Sequence, residues 1–352
     1  MSAAGVAVRV AAGLAAFLAG AGFAAEEPAP FSAAELRAIL ALGPWPSPGG
    51  PDPANRVSGK PEAIEFGERL FFDPRLSGSG KFACATCHVP ERNWTDNRAR
   101  GAATGEVDRN TPTLMNARLG KRFGWDGAAD SLAAQSRRPF LDRRELDSSA
   151  RQVAELVRRD DQLACRYRHS FGNAPSPGDD EAVLADVSLA LAAFVETLGS
   201  PATPFDRFRE ALARGEPVRP WLYSESAQRG LKLFVGRGTC TNCHNGPNFT
   251  DGELHDNGFA TVALAAAGRP DPGRDGRFKA PTLRHLLLTA PYGHRGQFET
   301  VADVVRHYSE RGGKEIAPLR LSAQEQSDLV VFLESVSTMA NPWRPDDGWR
   351  CR

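Results

Sequence analysis

Two short strings carry the chemistry of this chain. Cys84-Ala85-Thr86-Cys87-His88 and Cys240-Thr241-Asn242-Cys243-His244 each set two thiols three positions apart and follow them with a histidine. Thiols at that spacing can each add to one vinyl group of a haem, and the histidine is then held beneath the iron as its proximal ligand. The other common use of paired Cys-x-x-Cys, a structural zinc ion, joins pairs spaced by roughly 15 to 20 residues. The pairs here stand far further apart. The strings therefore predict two covalently bound haem c groups, attached through Cys84, Cys87, Cys240 and Cys243, with His88 and His244 on the irons.

The 352 residues are 41% hydrophobic and 24% charged, an ordinary globular composition on a chain long enough for two cores. Lysine plus arginine and aspartate plus glutamate are equal at 43 each, so nothing global directs the protein to nucleic acid or to an acidic surface. Recognition of any partner must be local. Residues 1–25 carry Arg9, then the apolar run Val10 to Ala25, with Gly22, Ala24 and Ala25 ahead of Glu26-Glu27-Pro28. That is the pattern of a cleaved export signal, and the run is shorter than the ~20 residues of a spanning helix. No later stretch is apolar enough to span, so the mature protein is expected in the periplasm. An oxidising compartment also suits the remaining cysteines, Cys165 and Cys351, whose pairing sequence leaves open.

Positioning two haems falls to helices. Ser32-Ala33-Ala34-Glu35 is a capping box opening a helix to about Leu42. Helical periodicity returns at 64–72 and stops at Asp73-Pro74, and residues 75–80 form the loop that delivers the first haem string. Residues 89–109 are polar and aperiodic. A helical pattern at 130–135 is followed by others at 149–159, 161–171 and 181–198. Gly199-Ser200-Pro201 marks the expected boundary between a first haem domain, 26–200, and a second, 201–340, with 341–352 as a tail. Helices are predicted at 205–213 and 224–234, after Thr300, where Val301, Val304, Val305 and Tyr308 share one face, and from the capping box at Ser322 to about Val336. Residues 252–277 read as an irregular, glycine-rich insertion. Short repeats are absent and strand-like alternation almost so. The fold class is mostly α, with two cytochrome-c-like helical domains carrying one haem each.

Taken together, Leu70-Phe71-Phe72-Asp73-Pro74-Arg75-Leu76-Ser77, the first haem string, Arg109-Asn110-Thr111-Pro112-Thr113, Trp125-Asp126-Gly127, Pro281-Thr282-Leu283-Arg284 and Leu288-Thr289-Ala290-Pro291-Tyr292 resemble the bacterial di-haem cytochrome c peroxidase and MauG superfamily. The resemblance runs from about residue 62 to about 336. It implies a first haem that reacts with hydrogen peroxide and a second that exchanges electrons. It further implies that Trp125 relays electrons between them, and that Asn110 with the carbonyls of Thr289 and Pro291 holds a calcium ion, oxygen being calcium's preferred ligand.

The resemblance also assigns the distal groups. Splitting peroxide needs a group that moves a proton between its oxygens, and family position gives that work to Gln135 and Glu145, with Pro139 between them. Read alone, Glu145 lies in a charge run typical of a solvated surface. The family's usual Asn-Pro-x-Glu-Met is replaced by Asp142-Arg143-Arg144-Glu145-Leu146. Members that gate the first haem do so with a histidine in the loop after it, and here no histidine stands between His88 and His169. That gate is expected to be absent. The sixth ligand of the second haem is methionine in many members, but the methionines here are Met1, Met115 and Met339. The family position falls on Tyr308, as in MauG, with His307 and His294 as competitors. Periodicity alone would make Tyr308 a core residue.

The expected activity is therefore that of a MauG-like peroxidase that oxidises a partner protein over a distance. The alternatives are a peroxide-removing enzyme fed by a small c-type cytochrome or cupredoxin, and a di-haem electron carrier without catalysis.

Overall fold

The computed structural model describes residues 31–47, 50–217, 221–259, 273, 275–338 and 351. The export signal read at 1–25, most of the 252–277 insertion and all of the 341–352 tail except Cys351 lie outside the described residues. Among the described residues there are eleven α-helices and one two-stranded ladder. None of these helices is long and apolar enough to cross a membrane.

Two clusters of buried side chains organise the helices. The first gathers α2 (Pro61–Phe71), α4 (Leu132–Leu141), α5 (Ala150–Arg159), α6 (Asp161–Phe171) and α7 (Asp180–Glu196) around Phe66, Leu70, Val153, Tyr167, Val187 and Phe194. Helix α7 is apolar on nearly every face, so it runs through the middle of the cluster. Asp179 caps it, with Asp180 and Glu181 in the first turn, where acidic groups suit the helix dipole. The second cluster joins α8 (Pro204–Ala213), α9 (Glu225–Val235), α10 (Val301–Glu310) and α11 (Ala323–Ser335). Helix α1 (Ala33–Leu40), which begins at the expected Ser32 capping box, also packs here through Ile39. The second core thus draws on chain from both sides of the first.

In each cluster the helix that leads into a haem string crosses another helix at a glycine. A Cβ on Gly67 of α2 would lie 1.9 Å from the Ala190 carbonyl oxygen of α7, and one on Gly230 of α9 would lie 2.0 Å from that of Asp328 in α11. Only glycine allows backbones so close.

This parallel belongs to a long repeat. The 3-10 turns Ala117–Leu119 and Leu286–Leu288, the bridges Phe123 to Ala129 and Tyr292 to Phe298, and helices α4 and α10 all recur 169 positions apart. So do the left-handed residues Asn116 and His285 and the positive-φ pairs Gly124, Gly127 and Gly293, Gly296.

Two local expectations change, and the open cysteine pairing is settled. Helix α4 begins later than its sequence pattern and continues through Pro139 to Leu141, a proline there costing the Gln135 carbonyl its helical donor. The described ends of the 252–277 insertion are ordered by an antiparallel ladder, Leu254 opposite Lys279 and His255 opposite Phe278. Cys165 and Cys351 are disulfide-bonded, their Cα atoms 5.9 Å apart. The side chain of Gln162 also pairs with both backbone groups of Cys351.

Candidate haem sites

Each haem string folds into a single tight turn. Cys84–Cys87 forms the one-turn helix α3, and Cys240–Asn242 forms a 3-10 turn; in both, the histidine N–H donates to the first cysteine's carbonyl, over 2.9 and 2.8 Å. The imidazoles are then fixed alike. His88 donates through Nδ1 to the Trp94 carbonyl at 2.9 Å, and His244 to the Phe249 carbonyl at 3.0 Å. This leaves Nε2 of each ring as the atom for a metal. Burial, the largest cause, pushes both histidines below their ordinary pKa and so keeps them neutral, the ligating form.

The two carbonyls are aimed by strained backbone. Trp94 (φ 61°) and Phe249 (φ 51°) are aromatic residues in the left-handed region, which such side chains rarely enter. A threonine steadies each preceding residue: Thr113 Oγ1 donates to the Asn93 carbonyl at 2.6 Å, and Thr282 Oγ1 to that of Asn248 at 2.7 Å. Nothing in the sequence alone pointed to Trp94 or Phe249. The signal was present as Asn-Trp and Asn-Phe at nearly the same distance after each haem string.

A mostly apolar cavity opens on His244. Cys240, Cys243 and Tyr308 line it, as do Trp125 and His294. These residues fit a covalent haem, because two thiols, an imidazole whose Nδ1 is engaged by a carbonyl and a phenol line one apolar space. The Asn257 side chain donates to the Tyr308 hydroxyl at 3.1 Å, and Leu319 N–H to its carbonyl at 3.0 Å. Desolvation pushes the Tyr308 phenol above its ordinary pKa, against that hydrogen bond. The surrounding protein therefore favours the neutral phenol. His307 does not line the cavity; its Nε2 meets the Asn257 carbonyl at 3.1 Å, and its ring packs on Phe259. His294 does line it, stacked on Phe278 at 3.7 Å between ring centroids. Met115 is buried in the first core.

On the first haem's side, Glu145 is half-buried rather than solvated. Its charge is felt at both Cys84 and Cys87, whose thiols are pushed up to about 12 and about 11, mainly by desolvation. Desolvation first, then Asp142, raises the Glu145 carboxyl above its ordinary value, against Arg138 and Arg144. Gln135 lies beside Gly124: a Cβ there would sit 3.4 Å from its Oε1. The loop after the haem string docks on this segment. Thr104 donates to the Glu145 carbonyl through both N–H and Oγ1, Gly105 N–H to that of Arg144, and Arg144 pairs with Asp108 at 2.7 Å.

Trp125, which lines the second cavity, donates from Nε1 to the Asn110 carbonyl at 2.8 Å. Asn110, Thr289 and Pro291 line one cavity with it, an oxygen-only donor set of the kind calcium takes. The Asn110 amide nitrogen is committed to the Arg98 carbonyl at 2.8 Å. Further polar groups unannounced by sequence line this cavity, His255 and Lys279 among them. His255 bonds both Asp251 and Glu315, and Lys279 is pushed down to about 8 by burial.

Residues 61–214 match the di-haem cytochrome c peroxidase family. The chain is 37% identical over 288 residues to the methylamine utilization protein MauG of Methylorubrum extorquens, covering 78% of each chain. It is 31% identical over 285 residues to the cytochrome c551 peroxidase of Nitrosomonas europaea, covering 78% of this chain and 80% of that one. Among solved structures, a MauG-like protein associated with microbial copper homeostasis superimposes with a TM-score of 0.68 at 26% identity, over 83% of this chain and 95% of the other.

Proposed function

The chain belongs to the di-haem cytochrome c peroxidase family, and from that footing we propose that it is a MauG-like member, an exported oxidoreductase that uses hydrogen peroxide to oxidise a partner protein. The two haem c groups of such an enzyme supply irons that give and accept electrons, the first with a position open to peroxide. His88 and His244 would hold those irons through Nε2, their Nδ1 atoms being engaged by the Trp94 and Phe249 carbonyls. Glu145, its carboxyl raised by burial, moves the peroxide proton, and Gln135 orients the group it acts on. Trp125 connects the two sites, and Asn110 with the Thr289 and Pro291 carbonyls holds calcium beside it. The two haem-bearing halves divide near residue 200.

The observation that carries the MauG-like reading is that Tyr308 lines the same cavity as His244, with no methionine among the residues lining it. An anionic phenolate favours oxidised iron, whereas a thioether favours ferrous iron and electron uptake. The histidine-free loop, docked on Arg144 and Glu145, supports a first haem that stays open in the resting state. The test is electron paramagnetic resonance of the as-isolated diferric protein before and after one equivalent of peroxide. One high-spin and one low-spin haem, both changing with peroxide without prior reduction, is the expected result. Two low-spin haems inert until reduced, or rapid turnover sustained by a small c-type cytochrome or cupredoxin, would replace this reading with that of a peroxide-removing enzyme.

A further inference from the structure

The repeat gives each haem site an internal control, and at one position the two halves differ sharply. Met115 in the first half corresponds to Arg284 in the second: each stands two residues after the threonine of a Pro-Thr-Leu string, and those threonines, Thr113 and Thr282, make the same bond 169 positions apart. Met115 is an apolar core residue. Arg284 is 1% exposed and carries a charge into the second core.

Its surroundings are fully built. Nη1 and Nη2 each donate to Asp206 at 2.9 Å, a two-pronged pair that fixes the guanidinium plane. Asp206 is itself held in α8, where its carboxylate accepts from Thr203 N–H and Oγ1 at 2.7 Å. The third donor, Arg284 Nε, reaches the Pro247 carbonyl at 2.6 Å. The guanidinium carbon lies 3.5 Å from the Trp45 ring centroid and 5.4 Å from that of Phe249. Phe249 is the left-handed residue whose carbonyl takes the His244 Nδ1 hydrogen. Arg284 thus grips residues 247–249 from α8, and that stretch sets the bond to the imidazole.

We propose that the Asp206 and Arg284 pair is a positioning element for the second haem's axial histidine, and that it separates the two haems electronically. The inference rests on His244 as that haem's ligand. A carbonyl held firmly on Nδ1–H makes the imidazole a stronger donor, which favours ferric iron and lowers the reduction potential. In the first half the Trp94 carbonyl also meets His88, but the position matching Arg284 is the apolar Met115, which brings no guanidinium to that stretch. The guanidinium lock on the proximal bond is therefore a feature of the second site.

The test needs variants that separate grip from charge, because Arg284→Met alone leaves the Asp206 carboxylate buried and unpaired, which is both destabilising and electrostatically active. Asp206→Asn with Arg284→Met exchanges a neutral pair for a neutral pair. Arg284→Lys keeps the charge facing Asp206 but has no planar fork to serve Asp206 and Pro247 together. Redox titration and electron paramagnetic resonance of the haem-loaded variants are the readouts. Both variants should raise the midpoint potential of the low-spin haem and shift its resonance, with the high-spin haem unchanged. Wild-type values for that haem in both would overturn the proposal, as would rescue by lysine, which would mark a purely electrostatic or structural pair. His244→Gly in the wild-type background guards the premise. If the low-spin signal survives it, the ligand assignment fails and the proposal with it; if the signal is lost while both variants match wild type, the proposal fails alone.

Discussion

Trp125 and His294 meet edge to face with ring centroids 6.4 Å apart, and they occupy the same position of the two repeats. The backbone around them is exchanged in the same sense: Lys279 N–H donates to the Trp125 carbonyl at 2.8 Å, and Asn110 N–H to the His294 carbonyl at 2.9 Å. Asn110 and Lys279 are themselves related by the repeat. The seam between the halves therefore passes between these two rings, and Trp125 is tied to both sides of it.

Trp125→Phe keeps an aromatic ring there but deletes the hydrogen bond from Nε1 to the Asn110 carbonyl, a stability cost of about 1 kcal/mol. Both haems should remain attached. The spectral response of the second haem to peroxide should lag that of the first, as seen by rapid mixing. Wild-type kinetics at both haems would reduce Trp125 to a packing residue.

Glu145→Gln should slow the reaction with peroxide by roughly 10²- to 10⁴-fold, the range for a lost proton-transfer group. On the proposed mechanism the ionised carboxylate is the proton acceptor, and burial raises its pKa. In the wild type the rate should therefore fall as pH drops through a value above the ~4.3 of a free glutamate. The glutamine variant should be flat over the same range. A pH-independent wild type, or a variant at the wild-type rate, would remove Glu145 from the chemistry.

Gly230→Ala places a methyl group 2.0 Å from the Asp328 carbonyl oxygen and should force α9 and α11 apart, at a cost of about 3 kcal/mol. Chemical denaturation measures it directly. Unchanged stability would mean that the two helices are free to separate without loss.

Much of this molecule was legible in its sequence, for physical reasons. The haem strings are local: five residues contain the thiols and the histidine, and the turn that unites them is closed by short-range hydrogen bonds, the histidine N–H on the first cysteine's carbonyl among them. The capping boxes at Ser32 and Ser322 are equally local, and the helices that follow them run close to the expected lengths. What sequence reading missed is long-range. Arg284 and Asp206 lie 78 positions apart and meet only because α8 packs against the second haem's loop. The strained carbonyls of Trp94 and Phe249 depend on φ, which residue type there argues against. The 169-residue repeat shows in sequence mainly as Pro-Thr-Leu at 112–114 and 281–283 and as paired glycines at 124, 127 and 293, 296. Those scattered positions carry the turns, while the side chains between them have diverged with the two sites.

Tyr308 decides the account. Redox titration of the wild type beside Tyr308→Met, with both haems loaded, is the measurement that reaches it most directly. If the phenolate is the sixth ligand, its replacement by a neutral thioether should raise the midpoint potential of the low-spin haem while the first haem still reacts with peroxide. The variant should lose oxidation of a partner protein as it gains electron uptake. An unchanged low-spin potential would contradict the account and pass the ligand role to another group, His294 first, since it also lines the cavity.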